Sequence, residues 1–256
     1  MVKGINKFIE YFKDYPGSYI VIGGAACDMI VGEAGFEPRV TFDIDIILVV
    51  EALKPEFVKR FWEFIKEGKY NTQQKDAEKR NCYRFKDTQN ADFPKQIELF
   101  SKTPDIIDLD RGAHLTPIPV EEGLSGLSAI LLNEDYYNYT LQHSDIKGDI
   151  HYANTDALIC LKAFAYLDNM KRKEAGQKIQ TRDIIKHKYD VFRMVFLLSP
   201  NDAFNLPETI KNDMQAFADV VKNNLPDPAI FKDNGFGNQN METIFNQLLK
   251  IFNLNA

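Results

Sequence analysis

The sequence predicts an α+β protein: a mixed β-sheet with flanking helices over residues 1–152, followed by an α-helical domain over residues 153–256. Three observations carry this. Two apolar runs near the start are separated by a Gly-Gly turn and a helix of small residues, two further short strand-like runs fall between residues 81 and 100, and helical periods dominate after Asn154. A chain of 256 residues is long enough for a sheet-bearing domain and a helical one, each with its own core.

Residues Met1 to Phe12 read as a short amphipathic helix. Tyr19 to Ile22 is an apolar strand, Gly23-Gly24 a tight turn, and Ala25 to Val31 a helix of small and apolar residues. Gly32 to Pro38 breaks the pattern, and Val40 to Val50 is a β-branched strand that Lys54-Pro55 closes before the next helix. In that helix Phe57, Val58, Phe61, Phe64 and Ile65 recur at helical spacing and predict a face laid on a sheet. Asn81 to Phe85 and Gln96 to Phe100 read as strands joined by the polar stretch Lys86 to Pro94. From Thr103 to Asp149, with Pro104, Pro117 and Pro119, strand candidates and loops mix without a clear order. Helices are then expected over Asp156 to Lys173, Arg182 to Leu198, Pro207 to Asn224 and Glu242 to Phe252.

Composition narrows the function classes. A hydrophobic fraction of 45% with 27% charged residues belongs to a folded globular chain, not a disordered one. The net charge of −6 argues against a surface coated in basic residues, so a polyanion must be met by a local patch. Cys27, Cys82 and Cys160 show no CxxC spacing, so neither a disulfide framework nor a zinc site is expected, and a reducing cytoplasm fits. No stretch approaches the length of a membrane span and no signal-peptide segment opens the chain, so no membrane partner is expected.

The run Arg39-Val-Thr41-Phe-Asp43-Ile-Asp45-Ile carries the chemistry. With a period of two, Arg39, Thr41, Asp43 and Asp45 share one face and Val40, Phe42, Ile44 and Ile46 the other. Two carboxylates so close repel unless a cation sits between them, and oxygen ligands suit Mg²⁺ or Mn²⁺; the alternative is a solvent-facing edge strand. Gly23 and Gly24, between strand and helix, would let a phosphate approach backbone N–H groups at a helix N-terminus. Glu98 sits between apolar neighbours on a third strand, either as a structural half-buried acid or as a third ligand.

The Gly-Gly turn, the helix, the Asp43-Ile-Asp45 strand and the later Glu98 together resemble the DNA polymerase β-like nucleotidyltransferase superfamily over Ser18 to Val50 and at Glu98. Within it, the Arg-x-Thr-x-Asp-x-Asp run and the helical segment after Ala153 are similar to the abortive-infection (AbiEii-like) nucleotidyltransferase toxins. The resemblance implies a nucleotidyltransferase fold, a catalytic and metal-binding trio of Asp43, Asp45 and Glu98, Mg²⁺ or Mn²⁺ as cofactor, and a nucleoside triphosphate (NTP) as substrate. Nucleoside monophosphate would pass to an acceptor hydroxyl. The acceptor stays open, with RNA such as tRNA among the candidates, and a cognate antitoxin is an implied partner. Gly23, Gly24, Arg39 and Thr41 would contact the nucleotide. Ala25 stands where relatives often carry Ser or Thr, and against the family pattern Gly32 to Pro38 reads as an insertion that would shape the acceptor side. An antibiotic-modifying nucleotidyltransferase and a silent nucleotide-binding module are the rival readings.

Two lysines in the helical half fall on apolar faces: Lys162 among Leu158, Ile159, Ala165 and Tyr166, and Lys188 among Ile184, Ile185, Val191, Phe192 and Val195. Either their stems carry the charge out to water, or they face a cleft and bind the triphosphate or acceptor. Asp183, Lys186, His187, Asp190 and Arg193 form a polar stripe on the opposite face, with His187 a candidate base. Lys171 to Lys188 holds seven basic residues against two acidic ones, a candidate RNA contact or a solvated loop.

Overall fold

The computed structural model describes residues 3–39, 41–71, 82–101, 133–232, 235–237 and 239–255. Met1, Val2, Val40, Asn81, Asn234 and the stretch 102–132, with its three prolines, lie outside the described residues. The protein is α+β with one mixed six-stranded sheet. Its chain divides into two compact units: 1–29, 40–124 and 144–153 form the first, and 30–39, 125–143 and 154–256 the second. The chain passes from the first unit to the second at 153/154, and the second unit also takes residues 30–39 and 125–143 from earlier in the chain. No helix among the described residues is long and apolar enough to cross a membrane.

Among the described residues, the first unit holds six strands: β1 Tyr19–Ile22, β2 Asp43–Leu48, β3 Cys82–Phe85, β4 Gln96–Phe100, β5 Ser144–Lys147 and β6 Ile150–Ala153, in the order β3-β4-β2-β1-β6-β5. Strand β2 runs antiparallel to β1 and parallel to β4, and β1 runs parallel to β6. The carboxylate strand is therefore central, which overturns the edge-strand alternative. It is also shorter than the sequence suggested: Phe42, expected on its apolar face, precedes it and is 46% exposed. Hairpin β5–β6 fills the end of the region whose order the periods left open. Helices α1 Ile5–Phe12 and α3 Pro55–Glu67 turn their apolar stripes inward. Phe8, Phe12, Tyr19, Phe57, Phe61 and Phe64 form one aromatic cluster, with Phe12 and Phe57 centroids 5.3 Å apart and Phe8 edge-on to Tyr19 at 5.2 Å. Such rings bury large areas and prefer tilted or edge-on geometry. Helix α2, Gly23–Glu33, begins at the glycine pair directly.

The second unit holds α4 Glu134–Gln142, α5 Thr155–Glu174, α6 Thr181–Leu197, α7 Glu208–Val221, the single turn α8 Ala229–Lys232 and α9 Met241–Ile251. Asn133 and Asn240 cap α4 and α9, each side chain accepting two backbone N–H bonds from the first turn. Helices α5 and α6 carry the unit's core, through Leu158, Ile159, Leu161 and Ala165 on one and Val191, Phe192, Met194 and Val195 on the other. The stretch Gly32 to Pro38, read as an insertion, belongs here: Phe36 stacks on Phe236 at 4.3 Å and meets Phe196 edge-on at 5.7 Å.

Candidate functional site

In the sheet unit the register brings the acidic residues side by side. Asp43 lies opposite Gln96 and Asp45 opposite Glu98 on the parallel neighbour, and Arg84 of β3 lies opposite Glu98. By alternation these residues share one face of the sheet, while Ile44, Ile46, Ile97 and Leu99 on the other face have no exposure at all. Asp43 and Asp45 are half-buried and Glu98 is buried. The sheet thus fixes three carboxylates by backbone pairing and anchors their strands from the opposite face.

Asp45 also sits against the turn that starts α2. Its partner on β1 is Ile22, one residue before Gly23. Gly23 has φ +67°, and a Cβ there would come within 2.0 Å of Asp45 Oδ2. Only glycine adopts this left-handed conformation freely and leaves room for the carboxylate. Gly23 thereby admits Asp45 to the N-terminal end of α2, where the helix dipole favours negative charge.

Glu98 has protein partners. Arg84 Nε donates to its Oε1 at 2.5 Å, with side-chain exposures of 17% and 7%, and Gln96 Nε2 donates to the same oxygen at 2.9 Å. Neither Arg84 nor Gln96 is among the site residues expected from the sequence. Arg84 was visible as a charge on an expected strand, but only the β3–β4 register aligns it with Glu98. The donor chemistry of Asp43 and Asp45 fits a hard divalent cation. Among the described residues no group of three His, Cys, Asp or Glu is gathered as a metal site, in keeping with Glu98 facing a guanidinium. Thr41, just ahead of β2, has a buried Oγ1 with no hydrogen-bond partner.

The other predicted contacts lie in the helical unit. Lys162 neither reaches water nor stands alone: it is 3% exposed and its Nζ is 3.0 Å from Asp190 Oδ2. Asp190 also takes Arg39 Nη2 and Arg193 Nη1, each at 3.3 Å. Three cations thus surround one buried carboxylate. Burial alone would raise the Asp190 pKa, but Lys162 and Arg39 overcome it and hold it below 3.8. His187 is buried beside them with Nδ1 unpartnered, and burial, then Lys162, keeps its pKa well below 6.5 against the pull of Asp190. The stripe read as polar is therefore an inward face at His187, Asp190 and Arg193, all buried. A neutral, enclosed His187 is a structural group here.

Lys188 stands apart from that cluster and donates to the Asn224 carbonyl at 2.7 Å. In the basic stretch, Lys171, Lys173, Lys178 and Arg182 are exposed, Arg172 lies 3.6 Å from Asp168, and Lys173 donates to Thr181 Oγ1. The sequence-derived candidates therefore fall into two groups, Gly23, Gly24, Thr41, Asp43, Asp45 and Glu98 in the sheet unit and Arg39, Lys162 and Lys188 in the helical one. No protein-family model matches this chain, and no curated protein matches it either.

Proposed function

We propose that the protein is a divalent-metal-dependent nucleotidyltransferase, with a nucleotidyltransferase fold in its sheet unit and a helical C-terminal portion, that moves a nucleoside monophosphate from an NTP to an acceptor hydroxyl and releases pyrophosphate. One observation carries the reading: Asp43 and Asp45 share a face of a central strand, with Glu98 in register beside Asp45 and the glycine-started helix α2 against the Asp45 carboxylate.

In this reading Asp43 and Asp45 hold the cation, which when bound supplies neutralisation of phosphate charge at the reacting centre. The N-terminal end of α2, at Gly23 and Gly24, faces phosphate with backbone N–H groups, and Thr41 offers a hydroxyl with no other partner. Glu98 accepts the proton of the acceptor hydroxyl once Arg84 turns from its carboxylate toward the incoming anion. Arg39 and Lys162 act through the Asp190 cluster. RNA such as tRNA is a fitting acceptor for the exposed Lys171, Lys173, Lys178 and Arg182, and the resemblance to AbiEii-like toxins adds a cognate antitoxin as a partner.

The test is thermal unfolding with Mg²⁺ and a non-hydrolysable NTP. A ligand at a hundred times its Kd stabilises the native state by about 2.7 kcal/mol. Wild type should gain that increment, Asp45→Asn should lose it while staying folded, and labelled NTP with cell extract should yield a labelled acceptor in wild type alone. An equal increment in Asp45→Asn would remove this carboxylate from the site. The Arg84 contact on Glu98 favours a second reading, a module that binds nucleotide without transferring it. That reading expects the increment without a labelled product.

A further inference from the structure

The last turns of α5 and the first turns of α6, with the turn after α7, form an open cavity of about 680 Å³ whose lining, among the described residues, belongs to the helical unit. That volume lies within the range of small-molecule sites, roughly 300–1,000 Å³. Tyr166 and Met170 of α5, Ile184 and Ile185 of α6, and Leu225 give it apolar walls. The spacing explains this: positions four apart on α5, and 181, 184, 185 and 188 on α6, make one stripe on each helix.

Lys188 is set into this lining. It is 4% exposed, and its Nζ donates to the carbonyl of Asn224, which also lines the cavity. The ammonium lies 6.0 Å from the Tyr189 ring centroid, and no carboxylate pairs with it among the described residues. Burial lowers its pKa. Lys162, buried to the same depth one helix away, has Asp190 at 3.0 Å. A buried cation without an anion is costly, and one carbonyl oxygen offsets only part of that cost. The lining also includes Lys173, Glu174 and Asp227, so among the described residues its formal charge balances, with two carboxylates set against a polyanion.

We propose that this cavity binds a small amphipathic monocarboxylate, an aromatic or medium-chain acid, with its carboxylate on Lys188 Nζ and its apolar body against Tyr166, Met170 and Ile185. The ligand supplies the anion that Lys188 lacks, and the apolar walls select a molecule with little other polarity. Glu174 and Asp227 disfavour a phosphate dianion at the same place. The inference does not rest on nucleotide transfer by the sheet unit.

The test uses the full chain, with decanoate and 2-naphthylacetate as probes and their uncharged amides as controls, followed by calorimetric titration and thermal unfolding. Both acids should bind saturably and raise the melting temperature, and the amides should bind about tenfold or more weakly. Lys188→Met should weaken acid binding by a similar factor and leave amide binding unchanged. Lys186→Met, on the same helix but outside the lining, should bind like wild type. Leu225→Trp fills the cavity while keeping the ammonium, and it decides the matter if Lys188→Met fails to fold: acid and amide binding should both fall. No saturable binding of either acid to wild type, equal affinity for acid and amide, or undiminished binding by Leu225→Trp overturns the proposal.

Discussion

Replacing Lys162 with Met tests the buried charge cluster of the helical unit. The substitution keeps the stem's packing and removes the ammonium that lies 3.0 Å from Asp190 Oδ2, with both side chains under 5% exposed. Breaking a buried pair by removing one partner costs about 3–5 kcal/mol, because the other charge stays desolvated. Asp190 keeps Arg39 and Arg193 at 3.3 Å, which puts the expected cost at the lower end, about 3 kcal/mol. That lowers the melting temperature by roughly 10 °C. Asp190→Asn should cost more, since it takes the anion from among three cations. In the double variant the two effects should fall short of their sum by about 1 kcal/mol or more, as expected of groups in contact. Urea and thermal unfolding at pH 7, followed by circular dichroism, measure all three. A Lys162→Met protein as stable as wild type would refute the pairing and restore the lysine that reaches out to solvent.

Gly23→Ala should lose about 1–2 kcal/mol from the left-handed backbone alone, and should also lose the thermal increment from Mg²⁺ and NTP, because its Cβ displaces Asp45. Wild type should lose stability as the pH falls below 6.5, by up to about 1.4 kcal/mol per pH unit, because the unfolded chain protonates His187 there while burial keeps the folded one neutral. His187→Leu should flatten that slope between pH 6.5 and 5 in pH-dependent urea titrations; Asp190, held below 3.8, loses its contribution only at more acid pH, as the pH falls through its lowered pKa. Arg84→Met should tighten Mg²⁺ binding, read by isothermal titration, if the guanidinium competes for Glu98 Oε1, and unchanged affinity would assign Arg84 a structural role alone. Phe36→Ala should open the 30–39 segment to limited proteolysis, since its ring stack with Phe236 is then lost.

Local physics made the elements legible. Gln96–Phe100 appears where alternation put it, and the four long helices after residue 153 lie within a few residues of their periods, because amphipathic spacing is written directly in the sequence. The shared face of Asp43 and Asp45 needed nothing beyond the two-residue repeat of a strand. What the sequence could not decide depended on neighbours far along the chain. The β2–β4 register that sets Glu98 beside Asp45, and the β3–β4 register that gives Glu98 to Arg84, are pairings between strands, and no local pattern encodes them. The two lysines show the same limit. On their own helices Lys162 and Lys188 look alike, each a charge on an apolar face, yet α6 brings Asp190 to one and the turn after α7 brings only a carbonyl to the other. Helical periodicity tells which face a residue occupies; only the packing of other helices determines which charge it meets there.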